Sequence, residues 1–251
     1  MPSMGLAIGR QAVVTYLFLL LNVSLTGFYP HAWAESQNDR IIKAIQAGNV
    51  SVVEQALEKG LNPNQRIKAN PLIAYALNSS HIAITRLLLA NKADYEAYAF
   101  TAALKGHEHI ITHLYTAGAR LHDIRNREGE TLLMVSAKQG NAENVKQLTE
   151  KGSDVNAQSN KGHSAMTYAS RYGHLSIVKY LLNHGAEVNI ANNNGWTPLL
   201  KAARGGHLKV VDYLLAHDAD IQSRNTAGHD ALLLAKRYKH DKVVKYLKHY
   251  K

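Results

Sequence analysis

The chain has 251 residues, enough for one elongated domain or a modest two-domain protein with a buried core. Hydrophobic residues make up 46% and charged residues 19%, and the absence of cysteine excludes disulfides, thiolate nucleophiles, iron–sulfur clusters and cysteine-ligated zinc. The formal net charge of +10 favours acidic partners. The excess is concentrated from Arg127 onwards, where 18 basic residues stand against 11 acidic ones.

Residues 1–34 have the three parts of a signal peptide. Arg10 is their only charge, residues 12–25 form an apolar run, and small residues occupy positions 32 and 34. Export machinery recognises a basic start, an apolar helix of about 7–15 residues, and small residues at −3 and −1 of the cleavage point. We therefore expect cleavage after Ala34, a mature chain of residues 35–251, and a location in the periplasm or outside the cell.

The alternative for this segment is an uncleaved membrane anchor. Its apolar run is shorter than the roughly 20 residues that span a bilayer, and Asn22 interrupts it. Cleavage is thus the favoured interpretation, with no stable membrane insertion afterwards. An exported chain without cysteine fits a bacterial periplasm better than an animal extracellular space, where small domains rely on disulfides.

The rest of the chain repeats with a period of 33 residues. Glycines recur with this spacing in two series, which are Gly129, Gly162, Gly195 and Gly228, and Gly140, Gly173 and Gly206. In residues 194–216, Thr197 is a natural N-cap and Pro198 fits the first helical position. Gly206 supplies a turn with positive φ, and an apolar stripe then follows at helical spacing, made up of Leu208, Val211, Leu214 and Leu215. One such helix pair cannot bury its apolar face alone, so the pairs must stack.

These residues resemble the ankyrin repeat over positions 38–251, most specifically in residues 172–189. The resemblance implies an all-α solenoid of about seven helix-turn-helix units with short β-hairpin loops. The expected units are 38–65, 66–94, 95–122, 126–158, 159–191, 192–224 and 225–251. The first and last resemble caps, with Asp39 as the expected N-cap of the first helix and polar Asp241 and Lys248 on the last one.

The chain departs from the family pattern at two places. The histidine that follows Thr-Pro-Leu in the family is absent, and the corresponding positions are Met134, Thr167, Leu200 and Leu233. The stretch from residue 93 to 119 is also too short for a full unit, so one hairpin is truncated. Tyr95, Tyr98 and Phe100 in this stretch either form an aromatic anchor pocket or fill the seam between units.

We find no sequence pattern for catalysis, metal binding or cofactor binding. His109 and His113 share one helical face, but residues 107–111 lack the second histidine of the His-Glu-x-x-His motif. The resemblance implies structural hydrogen bonds for the histidines that follow the turn position, namely His81, His107, His174, His207 and His240. Phosphate-binding glycine loops are also missing. We therefore expect no enzyme activity, no cofactor and no metal.

A row of cations is the candidate binding feature. Lys138, Arg171, Arg204 and Arg237 recur every 33 residues, and the resemblance places them on the concave, partner-binding surface. Other candidate contacts on this surface and on the hairpin tips are Lys161, Tyr172, Asn193, Asn194, Trp196 and Tyr238. Lys201 is a further neighbour. The row is either a binding surface or a set of solvated charges, and Trp196 either faces solvent as an anchor or packs on the next hairpin.

The leading functional hypothesis is a monomeric, exported protein-interaction module that binds an acidic surface of another protein. A second hypothesis is charge-driven binding of a polyanion such as anionic lipid or polysaccharide, with nucleic acid not the expected ligand. A third is a secreted effector that acts on host proteins.

Overall fold

The computed structural model describes the backbone of residues 30–250 and the side chains of residues 37–250. The apolar run of the predicted signal peptide lies outside the described residues, and the expected cleavage point after Ala34 falls inside the first described helix. The chain divides after Lys43 into two units, residues 1–43 and 44–251.

The described residues form fourteen helices and one short hairpin, which confirms the predicted all-α fold. The helices are α1 (Pro30–Gln46), α2 (Val50–Glu58), α3 (Leu72–Asn78), α4 (Ile82–Ala90), α5 (Glu96–Lys105), α6 (Glu108–Ala117), α7 (Leu132–Gln139), α8 (Ala142–Glu150), α9 (Ala165–Tyr172), α10 (Leu175–Asn183), α11 (Pro198–Gly205), α12 (Leu208–Leu215), α13 (Ala231–Arg237) and α14 (Asp241–His249). Strands β1 (Arg66–Ile67) and β2 (Asn70–Pro71) pair antiparallel just before α3.

Each odd-numbered helix from α7 to α13 begins at a side-chain cap. The Thr197 hydroxyl accepts a hydrogen bond from the Leu200 N–H, and Pro198 occupies the first turn of α11, as the sequence predicts. The same cap position holds Thr131, Ser164 and Asp230 before α7, α9 and α13. The prediction of Asp39 as an N-cap is wrong, because α1 begins at Pro30 and Asp39 lies in its interior. No glycine or proline follows Pro30 within α1 to interrupt it.

From α7 onwards the helix pairs stack so that odd-numbered helices pack against odd-numbered ones and even-numbered helices against even-numbered ones. Helix α9 packs between α7 and α11, and α11 packs between α9 and α13, while the even-numbered helices α8 to α14 form a second layer. Small residues of α11 such as Ala202 and Ala203 are fully buried where the odd-numbered helices pack together. In α12 the structure buries Val211, Leu214 and Leu215 of the predicted apolar stripe and leaves Leu208 half-buried. Burial of these stripes against neighbouring pairs is the main stabilising contribution.

Short fingers project before α7, α9, α11 and α13. In the finger at residues 192–196, the Asn192 N–H donates to the Trp196 carbonyl, and Asn192 Oδ1 accepts from the N–H groups of Asn194 and Trp196. Neighbouring fingers also bond to each other: the Asn193 N–H donates to the Lys161 carbonyl, and the Thr226 N–H donates to the Asn194 carbonyl. The fingers are therefore held in a fixed order along the stack.

The predicted truncation lies before α5, which begins without a finger of its own. Tyr98 lines a cleft of about 350 Å³ and donates a hydrogen bond to Asn78. The Tyr95 hydroxyl donates to the Arg120 carbonyl, and Phe100 is buried. Tyr98 thus borders a cleft, Phe100 belongs to the core, and Tyr95 is half-buried.

Candidate partner-binding face

Three side-chain positions that recur along the stack line one face. One lies on the finger, and two lie on the odd-numbered helix that follows it. The last finger position holds Glu130, His163, Trp196 and His229. The middle of the helix holds Tyr168 and Lys201, and its end holds Lys138, Arg171, Arg204 and Arg237. We call this surface, with Tyr172 and Tyr238 beside it, the basic-aromatic face. The structure thus brings the predicted row of four cations to one surface.

At one end of this face, Glu130 neutralises Lys138. The Glu130 carboxylate is buried and accepts hydrogen bonds from the Tyr168 hydroxyl and from Asn126 Nδ2. Lys138 Nζ lies 3.9 Å from Glu130 Oε1 and 5.3 Å from the centre of the Tyr168 ring. Burial, and then the hydrogen bond to Glu130, raise the pKa of Tyr168. Lys138 is therefore the one member of the row that has a carboxylate partner among the described residues.

In the middle of the face, Lys201 is buried and close to other cations. Its side chain is 5% exposed, and Nζ lies 4.5 Å from the centre of the Trp196 ring. Burial, and then the charges of Arg171 and Arg204, lower the pKa of Lys201 to about 8. The same surroundings lower the pKa of His163 to about 4, chiefly through burial and then through Lys201 and Arg171. The centre of the face is thus strongly electropositive.

The arginines rest on aromatic rings. Arg204 Cζ lies 5.2 Å from the centre of the Trp196 ring and 5.0 Å from that of Tyr238. Arg171 Cζ lies 5.4 Å from the Tyr172 ring. Such cation–π contacts hold the guanidinium groups in place while leaving their N–H donors available.

The last two fingers border an open cleft on this face. Its volume is about 440 Å³, and it is lined in part by Trp196, His229, Arg237 and Tyr238. Arg237 Nη1 lies 3.5 Å from His229 Nε2. Tyr238 is 43% exposed, so an aromatic surface and a cation are both accessible from this cleft.

The remaining predicted contacts differ in their surroundings. Tyr172, Lys161 and Asn194 are exposed, but Asn193 Nδ2 donates to the Asn160 carbonyl and so helps to join two fingers. Trp196 is half-buried beneath Lys201 and Arg204 and also borders the next finger. Trp196 thus combines the two alternatives considered from the sequence, since it packs against neighbouring side chains and still borders an open cleft.

Sequence reasoning missed two features of the face. The sequence does not indicate that Glu130 and Tyr168 form a pair, nor that Lys201 is buried. The only available signal was position: Glu130 shares the finger position of Trp196, and Tyr168 shares the helix position of Lys201.

Four histidines away from this face make hydrogen bonds that join neighbouring helix pairs. His81, His174, His207 and His240 each place Nε2 within 3.3 Å of a carbonyl oxygen of a preceding helix. His107 makes no such contact among the described residues. At the turn one helix pair before it, the residue with the left-handed backbone is Ser80 and not a glycine. Between residues 37 and 250 no group of three or more potential ligands could hold a metal ion. No helix described by the structure is long and apolar enough to cross a membrane.

Comparison with known proteins agrees with this architecture. A family model described as "Ankyrin repeats (3 copies)" matches residues 99–192 and 187–251, more than half of the chain. No curated protein matches the sequence. Ankyrin repeats mediate binding to other proteins and are typically non-catalytic. The chain therefore belongs to the ankyrin-repeat family and is a protein–protein interaction module.

Proposed function

We propose that the chain binds an acidic surface of another protein through its basic-aromatic face. The observation that carries this proposal is the shared placement of Arg171, Lys201, Arg204 and Arg237. None of them forms an ion pair with a carboxylate of residues 37–250. A cluster of cations without internal partners attracts a complementary negative surface and accelerates its association.

The chemistry of the face suits a protein partner. Arginine, tyrosine and tryptophan are the residue types that dominate binding energy at protein interfaces. Trp196 and Tyr238 flank Arg204, so its guanidinium loses less freedom on binding than a mobile one would. The adjoining cleft next to Arg237 can receive an apolar side chain beside the charged contacts.

The proposal is tested with two matched charge-reversal variants of the purified chain. The face variant carries Arg171→Glu, Arg204→Glu and Arg237→Glu. The control carries Lys146→Glu, Lys209→Glu and Lys242→Glu, at exposed positions of the even-numbered helices, and has the same net charge. Immobilised chains are exposed to extracytoplasmic proteins, and retained proteins are identified by mass spectrometry. An acidic protein should be retained by wild type and control and lost by the face variant.

A polyanion is the second candidate, favoured by the positive charge spread over both layers of helices from Arg127 onwards. Binding driven by charge alone would weaken similarly in both triple variants and would fall steeply with salt. That pattern, with no protein retained selectively, would contradict the proposed protein partner.

We also propose that residues 1–34 direct export and that the mature chain begins at Glu35. The basic start, apolar run and small residues at positions 32 and 34 support this. N-terminal sequencing of the chain recovered from the extracytoplasmic fraction should give Glu35 first. A full-length chain found only in the cytoplasm would refute the proposal.

A further inference from the structure

The most unusual side chain of the basic-aromatic face is Lys201. The residue as a whole is 5% exposed, its ammonium group lies 4.5 Å from the centre of the Trp196 ring, and Nζ itself is not among the fully buried polar atoms of the described residues. Among residues 37–250 it has neither a hydrogen-bond acceptor nor a carboxylate partner. Lysines with so little exposed surface are normally paired, because even partial removal of an ammonium group from water is costly.

The groups around Lys201 increase this cost. Arg171 on α9 and Arg204 on α11 are positively charged like Lys201, and both are close enough to lower its pKa. His163 lies near Lys201 and Arg171 and is neutral at pH 7 because its pKa is about 4. The one carboxylate of the basic-aromatic face, Glu130, accepts from Tyr168 and Asn126 and lies beside Lys138. Nothing within the described face balances the charge of Lys201, Arg171 and Arg204.

An anion that enters between these three cations would supply the missing balance. A carboxylate is the best match, because its two oxygens accept a forked pair of hydrogen bonds from a guanidinium and a further one from an ammonium. The Trp196 ring excludes water from one side of Lys201, which strengthens a charge interaction there. The position is also central in the face, where buried charge pairs contribute most to specificity.

We propose that Lys201, Arg171 and Arg204 form a binding site for one carboxylate of the partner protein, walled by Trp196. This inference rests on the proposed function and adds the chemical group that is recognised at its centre. Lys201 is then the residue that selects an aspartate or glutamate side chain, whereas Arg237 and Tyr238 contribute contacts around it.

The site has a consequence that can be measured without knowledge of the partner. Because the surroundings of Lys201 lower its pKa to about 8 in the free protein, part of the Lys201 population is deprotonated at pH 8. A bound carboxylate favours the charged form and raises this pKa, so binding must take up protons. Solvated surface lysines, which are already charged at pH 8, would give no such uptake.

The experiment uses N-acetylated hexaglutamate as the probe in isothermal titration calorimetry at pH 8. Titrations in buffers with different ionisation enthalpies report the number of protons taken up. We expect net proton uptake by the wild type, since part of the lysine is neutral at a pH near its pKa. Lys201→Met should abolish the uptake and weaken binding at least tenfold. Lys146→Met, at an exposed position of α8, should change neither.

The possible results separate this inference from the proposed function. If hexaglutamate binds and the triple variant of the face loses it, but no protons are taken up and Lys201→Met binds normally, the carboxylate site is refuted and the binding face stands. If wild type does not bind hexaglutamate, or binds it no better than the face variant does, the carboxylate site is refuted, and the capture experiment decides the binding face separately. If inorganic triphosphate binds as tightly as hexaglutamate and Lys201→Met weakens both equally, the site recognises phosphate as well and the carboxylate assignment is wrong.

Discussion

The phenolic hydroxyl of Tyr168 donates a hydrogen bond to the buried carboxylate of Glu130, which belongs to the preceding finger. This pair joins α9 to the finger before α7 and lies directly beside Lys138. The Glu130 carboxylate is thus held beside Lys138, and it forms no ion pair with Lys201 or Arg171 among the described residues. One hydrogen bond thus links the stability of the stack to the electrostatics of its binding surface.

Tyr168→Phe should lower the free energy of unfolding by about 1–3 kcal/mol, because the Glu130 carboxylate loses a donor in a buried place. Urea denaturation followed by circular dichroism measures this difference. The control is Tyr172→Phe, since Tyr172 is 41% exposed and its hydroxyl has no hydrogen-bond partner in the described structure. Equal effects of the two substitutions would show that the bond to Glu130 contributes nothing.

Lys201→Met should stabilise the free protein at neutral pH and do so less at higher pH. The pKa of Lys201 in the folded state, about 8, lies below its unfolded value of about 10.4. Between these values the unfolded chain keeps a proton that the folded chain has lost, so the stability of the wild type rises with pH. The gain from methionine should therefore be on the order of 1–3 kcal/mol at pH 7 and smaller at pH 9.5.

The check on Lys201 is urea denaturation of wild type, Lys201→Met and Lys146→Met at both pH values. Only the difference between wild type and Lys201→Met should depend on pH. A pH-independent difference would mean that Lys201 is not destabilised by its surroundings. A stabilising substitution that weakens binding is expected where a site stores electrostatic strain for its ligand.

Gly173→Ala should destabilise the protein more than Gly185→Ala, although both glycines have left-handed backbones with φ of 77° and 84°. A Cβ at position 173 would lie 2.4 Å from Nδ1 of His207, whereas position 185 has nothing within 4 Å. Both changes share a backbone cost of about 1–2 kcal/mol, and the excess at 173 comes from the displaced imidazole. Thermal denaturation of the two variants measures the excess.

A double-mutant cycle tests the cause of that excess. His207→Ala removes the ring that Gly173 accommodates, so the extra cost of Gly173→Ala should disappear in the double variant. An excess that persists without the imidazole would assign it to the backbone alone.

Ala69→Gly should stabilise the β1–β2 hairpin. Lys68 and Ala69 form its turn with φ of 49° and 69°, a conformation that residues with a Cβ adopt at a cost. Glycine removes this cost, and we expect a gain of about 0.5–1 kcal/mol in the free energy of unfolding. The matched control is Ala227→Gly, an exposed loop alanine without positive φ, which should not stabilise. Equal effects at 69 and 227 would contradict strain in the turn.

The sequence alone determined the family, the stacked helix pairs and the cation row. The period of 33 residues, the cap at Thr197 and the turn at Gly206 are local signals that act the same way in every pair. Local signals were not enough at the first helix, where Asp39 resembles a cap but α1 continues upstream to Pro30. The short stretch before α5 predicted a missing finger, yet not that Tyr98 lines a cleft while Phe100 packs inside.

Only the tertiary structure decided which charges of the face are neutralised and which are not. Glu130 and Tyr168 are 38 residues apart, and their contact depends on the offset between neighbouring helix pairs and on side-chain rotamers. The same offset leaves Lys201 buried on Trp196 between two arginines. A repeat pattern specifies which positions share a face, but burial and pairing of each side chain depend on atoms one helix pair away.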